Sequence, residues 1–442
     1  MSTKWFGTDG VRGPVGGVIH PEIILKLGWA AGKVLSEMSQ NKPKVLIGKD
    51  TRVSGYLLES ALESGFSAAG VDVELLGPMP TPAIAYLTHT LRATAGIVIS
   101  ASHNPFSDNG IKFFLSGGQK LSPKRELQIE ALMEKPMEVV SSHLLGKASR
   151  LSGAQERYIE YCKGKLNSNY SMQGLKVVVD CAHGATYSIA PSVFSELGAV
   201  VEPIFVNPNG FNINDNCGST HPEALVQTVL ESRADMGFAF DGDGDRLLAV
   251  NNKGRILNGD DLLFVLMSEE MQQSEGLVGT AMTGLGLEKS LQAMGKRLVR
   301  ASVGDKYVME KLRELDWPLG GEPSGHVIHR DKMITGDGII AALQIVNAVI
   351  AQKKELSDFD LPKIFPSRML NVPVIEKLDE NMTDYISVQA SAIQEELGDQ
   401  YRVVVRPSGT EPVVRVFVEG ENEAVVHRSC DSLVDMITHS IA

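Results

Sequence analysis

Cysteine is scarce in this chain of 442 residues, with four present: Cys162, Cys181, Cys217 and Cys430. None stands in a Cys-x-x-Cys pair, so the spacing of zinc ribbons and thioredoxin-type redox sites is missing. Long apolar runs are missing too. The most apolar helical stretch, Ile339 to Ala351, is interrupted by Gln344 and Asn347. It is too short and too polar to span a bilayer, and reads as a buried helix. The opening, Met1-Ser-Thr-Lys-Trp-Phe6, has no apolar core of signal-peptide type. A soluble cytoplasmic protein with reduced thiols and no membrane partner is expected. An excess of basic residues is also lacking. The 42 Lys and Arg against 54 Asp and Glu leave a formal charge of −12. That argues against a nucleic-acid partner, which would call for a basic stripe. It leaves room for an anionic small molecule, because a few arginines and lysines set the field inside a cleft.

What is present is ordinary globular composition, 43% hydrophobic and 22% charged, which excludes wholesale disorder. The length alone suggests about three domains. A unit of strand, loop, helix, glycine, strand then recurs three times. The first copy runs from Lys44 through a helix over Ser54 to Ala69, then Gly70 and a strand over Val71 to Leu76. The second runs from Leu175 through a helix starting near Thr186, then Gly198 and Ala199 to Val206. The third runs from Gly276 through a helix starting near Gly286, then Gly295 and Arg297 to Val303. Glycine just past a helix fits a left-handed C-cap. Short apolar strands around an amphipathic helix suggest βαβ units in a mixed, mostly parallel sheet.

The C-terminal part reads as an α+β module. Arg368 to Ile375, Tyr401 to Val405 and Val413 to Val418 are strand candidates, and Asn381 to Leu397 and Asn422 to Ile441 are helix candidates. Four domains result: 1–150, 151–253, 254–364 and 365–442. Their boundaries fall near Gly146 to Ser152, the Asn251-Asn-Lys-Gly254 turn, and Pro362 to Pro366. The last, being proline-flanked, reads as a linker and hinge.

One loop carries the sharpest chemical signal. Asp241-Gly-Asp-Gly-Asp-Arg246 follows the apolar strand Met236 to Phe240. Alternate residues share a face, so Asp241, Asp243 and Asp245 can converge, and Gly242 and Gly244 permit tight curvature. Three carboxylates on one loop suit a hard cation such as Mg²⁺. A calcium EF-hand needs Gly and Glu where Arg246 and Asn252 stand, so it does not fit.

Four more polar loops accompany it. Ile97 to Pro105 ends a strand in Ser100, Ser102, His103 and Asn104, with Lys112 close behind. His103 or Lys112 could activate a serine hydroxyl. Arg406-Pro-Ser408-Gly409-Thr410-Glu-Pro412 offers a guanidinium, hydroxyls and open backbone N–H groups, a phosphate cradle. Gly320 to His326 places Glu322, Ser324 and His326 where they could bind vicinal hydroxyls. Phe6 to Gly13 carries Arg12, a candidate phosphate contact. Each of these four also fits an ordinary polar turn when taken alone. The serine, metal, glycine-rich and phosphate loops nevertheless fall one in each domain, as expected for a single site built at their meeting point.

In this order and over essentially the whole chain, the motifs resemble the α-D-phosphohexomutase superfamily. Phe6 to Gly13 and Gly96 to Phe106 are most similar to its phosphoglucosamine mutase branch. The resemblance implies three similar α/β domains and a TATA-box-binding-protein-like α+β domain around a central cleft. It implies that Ser102 is phosphorylated, and that one Mg²⁺ per subunit is held by Asp241, Asp243, Asp245 and a phosphoserine oxygen. Arg12 and Arg246 would balance the phosphoserine charge, and Lys112 and His326 would exchange protons with the sugar hydroxyl. Arg406, Ser408, Gly409 and Thr410, with Arg415, would hold the non-transferring phosphate.

The implied reaction converts glucosamine 6-phosphate to glucosamine 1-phosphate through a bisphosphate intermediate. It would feed UDP-N-acetylglucosamine and peptidoglycan precursor synthesis, with a hexose or hexosamine 1,6-bisphosphate as activator and a homodimer as the assembly. Pro323 stands where this branch usually has glutamine, and Lys306 where arginine is expected, which leaves sugar specificity the most open point. A phosphoglucomutase or phosphomannomutase with the same machinery is the near rival. A metal-dependent phosphatase and a non-catalytic sugar-phosphate sensor are the more distant ones.

Overall fold

The computed structural model describes residues 4–7, 9–39, 41–269, 273–374, 380–407 and 413–441. The chain begins β1 (Val11–Pro14), α1 (Pro21–Met38), β2 (Lys44–Lys49), α2 (Ser54–Ala68), β3 (Asp72–Pro78), α3 (Thr81–Thr90), β4 (Ala95–Ile99), β5 (Asp108–Leu115), α4 (Pro123–Met133) and β6 (Ala148–Arg150). It continues α5 (Ala154–Lys163), β7 (Lys176–Asp180), α6 (Ile189–Glu196), β8 (Val200–Ile204), α7 (Glu223–Ser232), β9 (Met236–Phe240), β10 (Leu247–Asn251) and β11 (Ile256–Leu257). Then come α8 (Gly259–Glu269), β12 (Gly276–Thr280), α9 (Leu285–Ala293), β13 (Arg297–Ala301), α10 (Asp305–Leu315), β14 (Leu319–Gly321), β15 (Val327–His329) and α11 (Gly338–Gln352). The chain closes with β16 (Ser367–Pro373), α12 (Glu380–Leu397), β17 (Tyr401–Pro407), β18 (Val413–Gly420) and α13 (Glu423–Ile441).

All three repeats form, and in each the two strands pair in parallel: β2 with β3, β7 with β8, β12 with β13. The glycines that end their helices, Gly70, Gly198 and Gly295, have φ of +86°, +99° and +69°. Only glycine adopts that left-handed region at little cost.

Packing gathers the chain into two compact units, Met1–Gln272 with Pro318–Phe359, and Gln273–Trp317 with Asp360–Ala442. The first unit holds a six-stranded sheet, β1-β5-β4-β2-β3-β6, and a five-stranded sheet, β11-β10-β9-β7-β8. Leu27, Ile47, Leu62, Phe66, Ile97 and Ile111 are among the buried residues of one of its cores. Strands buried on both faces read as continuous apolar runs, which is how β2, β4 and β9 stand out in the sequence. Helix α11 is buried over Gly338–Val349. Its two polar interruptions are satisfied inside, since Gln344 and Asn347 both donate side-chain hydrogen bonds to the Lys165 carbonyl. No helix among the described residues is long and apolar enough to cross a membrane.

Two expected boundaries fall beside strands, 150/151 directly after β6 and 253/254 in the turn between β10 and β11. Residues of β6 pair with β3, so the Gly146–Ser152 segment still belongs to the first sheet. The Asn251–Gly254 turn joins β10 to β11 in one hairpin of the second sheet.

The second unit contains the β12–β13 pair with α9 and α10, and an antiparallel sheet in the order β16-β18-β17. Helix α13 presents Val426, Cys430, Leu433 and Ile437 at helical spacing to Val414, Val416 and Val418 of β18. The opposite face of the sheet carries Arg402 and Glu419, cross-strand neighbours. Their ion pair is 2.9 Å and buried. Glu419 also accepts the Leu285 backbone N–H at 3.0 Å, and Arg402 donates to the Ala281 carbonyl. A carboxylate at a helix N-terminus gains from the helix dipole. These bonds fasten the C-terminal module to half of the expected third domain. The Pro362–Pro366 segment, expected as a free hinge, lies in the same unit. Its Lys363 carbonyl leaves no room for a Cβ on Gly286, at 2.0 Å.

Candidate active site

Ser102 sits in the turn between β4 and β5. The strand pairing continues one step beyond β4, where the Ser100 N–H donates to the Gly110 carbonyl at 3.0 Å. Ser102 then adopts φ +52°, a left-handed conformation that costs a non-glycine residue roughly 1–2 kcal/mol. Several bonds hold it there. Its N–H donates to Ser100 Oγ at 2.9 Å, and its carbonyl accepts from Arg52 Nη2 at 3.2 Å and Asn214 Nδ2 at 2.9 Å. Both donors also reach the Asn104 carbonyl. Arg52 is fully buried and paired with Asp50. The result is that Ser102 Oγ lies 2.6 Å from Asp241 Oδ2, donating to it, with His103 Nδ1 at 3.3 Å.

Asp241, Asp243 and Asp245 follow β9 and converge as the alternation predicts. One carboxylate oxygen from each lies within 4.8 Å of the others. Asp241 accepts the Arg246 N–H at 3.1 Å. Asp243 accepts from Thr81 Oγ1 at 2.7 Å and Lys112 Nζ at 2.9 Å. Its other oxygen, Oδ1, is buried without a hydrogen-bond partner. Asp245 Oδ1 faces His326 Nδ1 at 3.7 Å and Arg246 Nε at 4.0 Å. A buried, all-oxygen donor set with an orphaned carboxylate oxygen and the Ser102 hydroxyl beside it fits a hard divalent cation, which would complete its shell from water or phosphate.

The titrating groups show how strained this cluster is. Burial, then Asp245 and Asp243, hold Asp241 well above the usual carboxylate range. Burial opposes the charge of Asp245 as well, but Lys112, His326 and Arg246 outweigh it and hold this carboxyl well below that range. Lys112 is buried, yet Asp243, Asp9 and Asp245 keep its ammonium above the usual lysine value. Burial, Arg246 and Arg12 lower His103 to about 4, so it is neutral at pH 7.

Close backbone approach explains the glycines of the metal loop. A Cβ on Gly242 would meet the Ser102 carbonyl oxygen at 2.6 Å and Asn214 Nδ2 at 2.9 Å. Gly242→Ala is therefore expected to push the serine and carboxylate loops apart. It should cost about 1–3 kcal/mol of stability and a larger share of activity. Thermal unfolding and turnover measured side by side check this, and a variant equal to the parent in both would refute it.

The expected sugar loop forms a tight turn between β14 and β15. The Glu322 N–H donates to the His326 carbonyl and the Gly325 N–H to the Glu322 carbonyl, each at 3.0 Å. It is tied to the metal loop because the Leu247 N–H, next to Arg246, donates to the Gly325 carbonyl at 3.0 Å. Pro323 contributes its carbonyl to the Gly259 N–H at 3.1 Å. Glu322 contributes to holding Arg246 charged, and Ser324 is exposed, 3.4 Å from Glu322. Arg12 lies 3.6 Å from Asp9. Ser102, His103, Lys112, Arg12, Arg246, Glu322, Ser324, His326 and the three aspartates thus belong to one compact unit. Arg406 and Arg415 belong to the other, directly opposite each other on β17 and β18. Ser408, Gly409 and Thr410 lie outside the described residues.

Sequence reading missed several groups that build this site. Asp9 Oδ2 is 3.0 Å from Lys112. Thr81 starts α3, and Arg52 and Asn214 come from loops far away in the chain. They are single polar residues with no spacing signature. Only Asp9, within the glycine-rich opening, stood near a motif.

Comparisons with known proteins bear on this arrangement. The family described as phosphoglucomutase/phosphomannomutase matches in four consecutive parts. Its alpha/beta/alpha domains I, II and III match residues 3–139, 156–254 and 258–361, and its C-terminal domain matches 369–436. A protein of Pseudoalteromonas translucida (strain TAC 125) named phosphoglucosamine mutase is 52% identical over 439 residues, 98% of this chain and 97% of that one. One of Shewanella sp. (strain MR-4), named phosphoglucosamine mutase 1, is 51% identical, with 98% of each covered. Among solved structures, a phosphoglucomutase/phosphomannomutase family protein from Burkholderia thailandensis superposes with a TM-score of 0.82 at 25% identity, covering 100% of this chain and 99% of that one. The Aspergillus fumigatus N-acetylphosphoglucosamine mutase, solved with GlcNAc-6P and magnesium, shares the fold at a TM-score of 0.69 and 15% identity, covering 100% and 96%.

Proposed function

The chain belongs to the phosphoglucomutase/phosphomannomutase family, and from that membership and its site we propose that it interconverts glucosamine 6-phosphate and glucosamine 1-phosphate. The observation that carries the reading is the Ser102 hydroxyl held 2.6 Å from one carboxylate of a convergent trio. A nucleophile fixed among metal-ligand carboxylates suits phosphoryl transfer, in which positioning and charge neutralisation do most of the work.

In this reading Ser102 carries the phosphoryl group. The sugar hydroxyl at C1 or C6 attacks phosphorus, the new P–O bond forms, and the bond to Ser102 Oγ breaks. The attacking hydroxyl loses a proton and Ser102 Oγ gains one. The bisphosphate then reorients, Ser102 attacks the other phosphate, and the proton returns to the sugar. Asp241, Asp243 and Asp245, with a phosphoserine oxygen, would hold Mg²⁺, which supplies charge neutralisation at the transferring group. His326 stands beside Asp245 and is the candidate for proton exchange. Lys112, bonded to Asp243 and Asp9, is the second candidate for that exchange. Neutral His103, 3.3 Å away, can donate its Nδ1–H to Ser102 Oγ, whose own proton goes to Asp241. Arg12 and Arg246 balance the phosphoserine charge. Glu322 and Ser324 bind sugar hydroxyls. In the second unit, Arg406 and Arg415 stand directly opposite each other on β17 and β18 and supply two guanidinium groups. With Ser408, Gly409 and Thr410 they hold the second phosphate.

The reading extends to a cytoplasmic homodimer activated by a hexose or hexosamine 1,6-bisphosphate, and light scattering on the purified protein tests the dimer. The deciding experiment is turnover of glucosamine, glucose and mannose 6-phosphates by the phosphorylated protein with Mg²⁺. The glucosamine compound should give the highest kcat/KM, and a preference for glucose or mannose would move the protein to the neighbouring branch. Chelation of divalent metal should abolish turnover, with Mg²⁺ restoring it. Full activity in excess chelator would remove the three aspartates from their role.

A further inference from the structure

Between β15 and α11 the chain passes through Thr335-Gly336-Asp337-Gly338, and both glycines press against the site. A Cβ on Gly336 would fall 2.2 Å from His326 Nε2, so this backbone lies flat against the imidazole. Gly338 donates its N–H to the Gly244 carbonyl at 3.0 Å, and a Cβ there would fall 2.6 Å from the Arg246 carbonyl oxygen. The strap therefore braces His326 with one glycine and the metal loop with the other.

Asp337, between them, turns its side chain the opposite way. Oδ1 accepts the Ile340 N–H at 3.0 Å and caps α11. That cap uses only one oxygen. Oδ2 accepts the Tyr158 hydroxyl at 2.7 Å, and both side chains are buried. Tyr158 comes from α5, in the second family domain, and its ring packs at 6.3 Å from Tyr86 of α3, in the first. Asp337 belongs to the third. One side chain thus meets elements of all three domains, its ring against Tyr86 and its hydroxyl on the strap.

We propose that Tyr158 is a positioning residue for this site: through its hydrogen bond to Asp337 it fixes the Gly336–Gly338 strap, and so the placement of His326 and of the Asp241–Arg246 loop. Without the hydroxyl, a buried carboxylate oxygen loses its donor and the strap loses its anchor, while helix α11 keeps its cap. An ordinary core tyrosine would instead affect stability alone. The proposal rests on the reading of Asp241–Arg246 and His326 as reacting machinery.

The test compares full-length wild type with Tyr158→Phe, which keeps the ring. Tyr161→Phe is the control, since its hydroxyl bonds the Lys332 carbonyl at 3.1 Å in the same aromatic cluster. Asp337→Asn is the conservative variant, as its amide can still cap α11 and pair with the Tyr158 oxygen. In Tyr158→Phe, amide hydrogen exchange should quicken in the segments 241–246 and 335–338, and kcat should fall about tenfold with KM within about twofold, the size expected from one lost charge-assisted bond. Tyr161→Phe should match wild type, and Asp337→Asn should stay within about threefold of it. Unchanged exchange in those two segments, an unchanged kcat, or faster exchange spread over the whole molecule each overturns the proposal. Wild-type protein without mutase activity would sink the proposed function, while the exchange comparison would still decide the role of Tyr158.

Discussion

Replacing Ser102 by alanine is expected to lower kcat by about 10⁴-fold or more, the scale seen when a covalent nucleophile is removed. The hydroxyl stands 2.6 Å from Asp241 and within 3.3 Å of His103, and no other described hydroxyl is bonded to Asp241. The fold should survive. Alanine tolerates the φ of +52° about as well as serine, and the bonds from Arg52 and Asn214 go to the backbone carbonyl, which the substitution keeps. The parent protein should carry a phosphate adduct by intact mass that glucosamine phosphate discharges, and the variant should carry none. A Ser102→Ala protein that is fully active, or that retains a phosphate exchanged with substrate, would remove the serine from the mechanism.

Lys112→Met should be the most damaging single change after Ser102→Ala. Its ammonium is buried against Asp243 at 2.9 Å, Asp9 at 3.0 Å and Asp245 at 3.7 Å. Methionine fills the space but leaves three carboxylates facing one another. Breaking a buried pair by removing one partner costs about 3–5 kcal/mol, and losing one such donor costs about 10²–10³ in rate. The loss should have a distinctive pH dependence. Burial opposes the charge of Asp9, but Lys112, Lys120 and Arg12 outweigh it and hold its carboxyl far below the ordinary value of 3.8. A depressed carboxyl contributes stability that is present above its unfolded value and lost as the pH falls through the folded one. The gap between wild type and Lys112→Met should therefore be widest near neutrality and narrow as the pH drops below 3.8. Mg²⁺ should narrow it too, by neutralising Asp243 and Asp245. Denaturant titrations across pH, with and without Mg²⁺, measure both effects. A constant gap would mean that the carboxylates are not what Lys112 balances.

The repeats were legible in the sequence because each strand is a short apolar run and each helix is followed by a glycine with positive φ. The second helix begins at Ile189 rather than near Thr186 for a local reason. Ala182 and His183 both take left-handed conformations at φ +52° and +49°, and Gly184 lies against the Gly242 carbonyl oxygen. Those residues serve the metal loop instead of starting a helix. The aspartate trio was legible because its spacing is local. Thr81, Arg52, Asn214 and Tyr158 were not, since each acts alone from a distant element and has no pattern to read. The grouping of half the third domain with the C-terminal module was hidden for the same reason: it depends on Arg402 and Glu419, two charged residues in strands whose alternation said nothing about their partners.

That grouping has a consequence for how the protein is made. The chain passes between the two compact units three times, at about residues 272, 317 and 359. As it leaves the ribosome from the N-terminus, the larger unit cannot close until α11 emerges, because Gly338 braces a loop synthesised almost a hundred residues earlier, and Asp337 takes the hydroxyl of Tyr158, made earlier still. The strands and helices of 273–317 emerge before that, but the sheet carrying Arg402 and Glu419 comes last. For the time needed to synthesise the final segment, the Leu285 amide and the Ala281 carbonyl lack the side chains that satisfy them. Synthesis order therefore makes the last eighty or so residues a folding partner for an earlier, waiting segment, and a nascent chain cut short before β17 would leave that segment with an uncovered face.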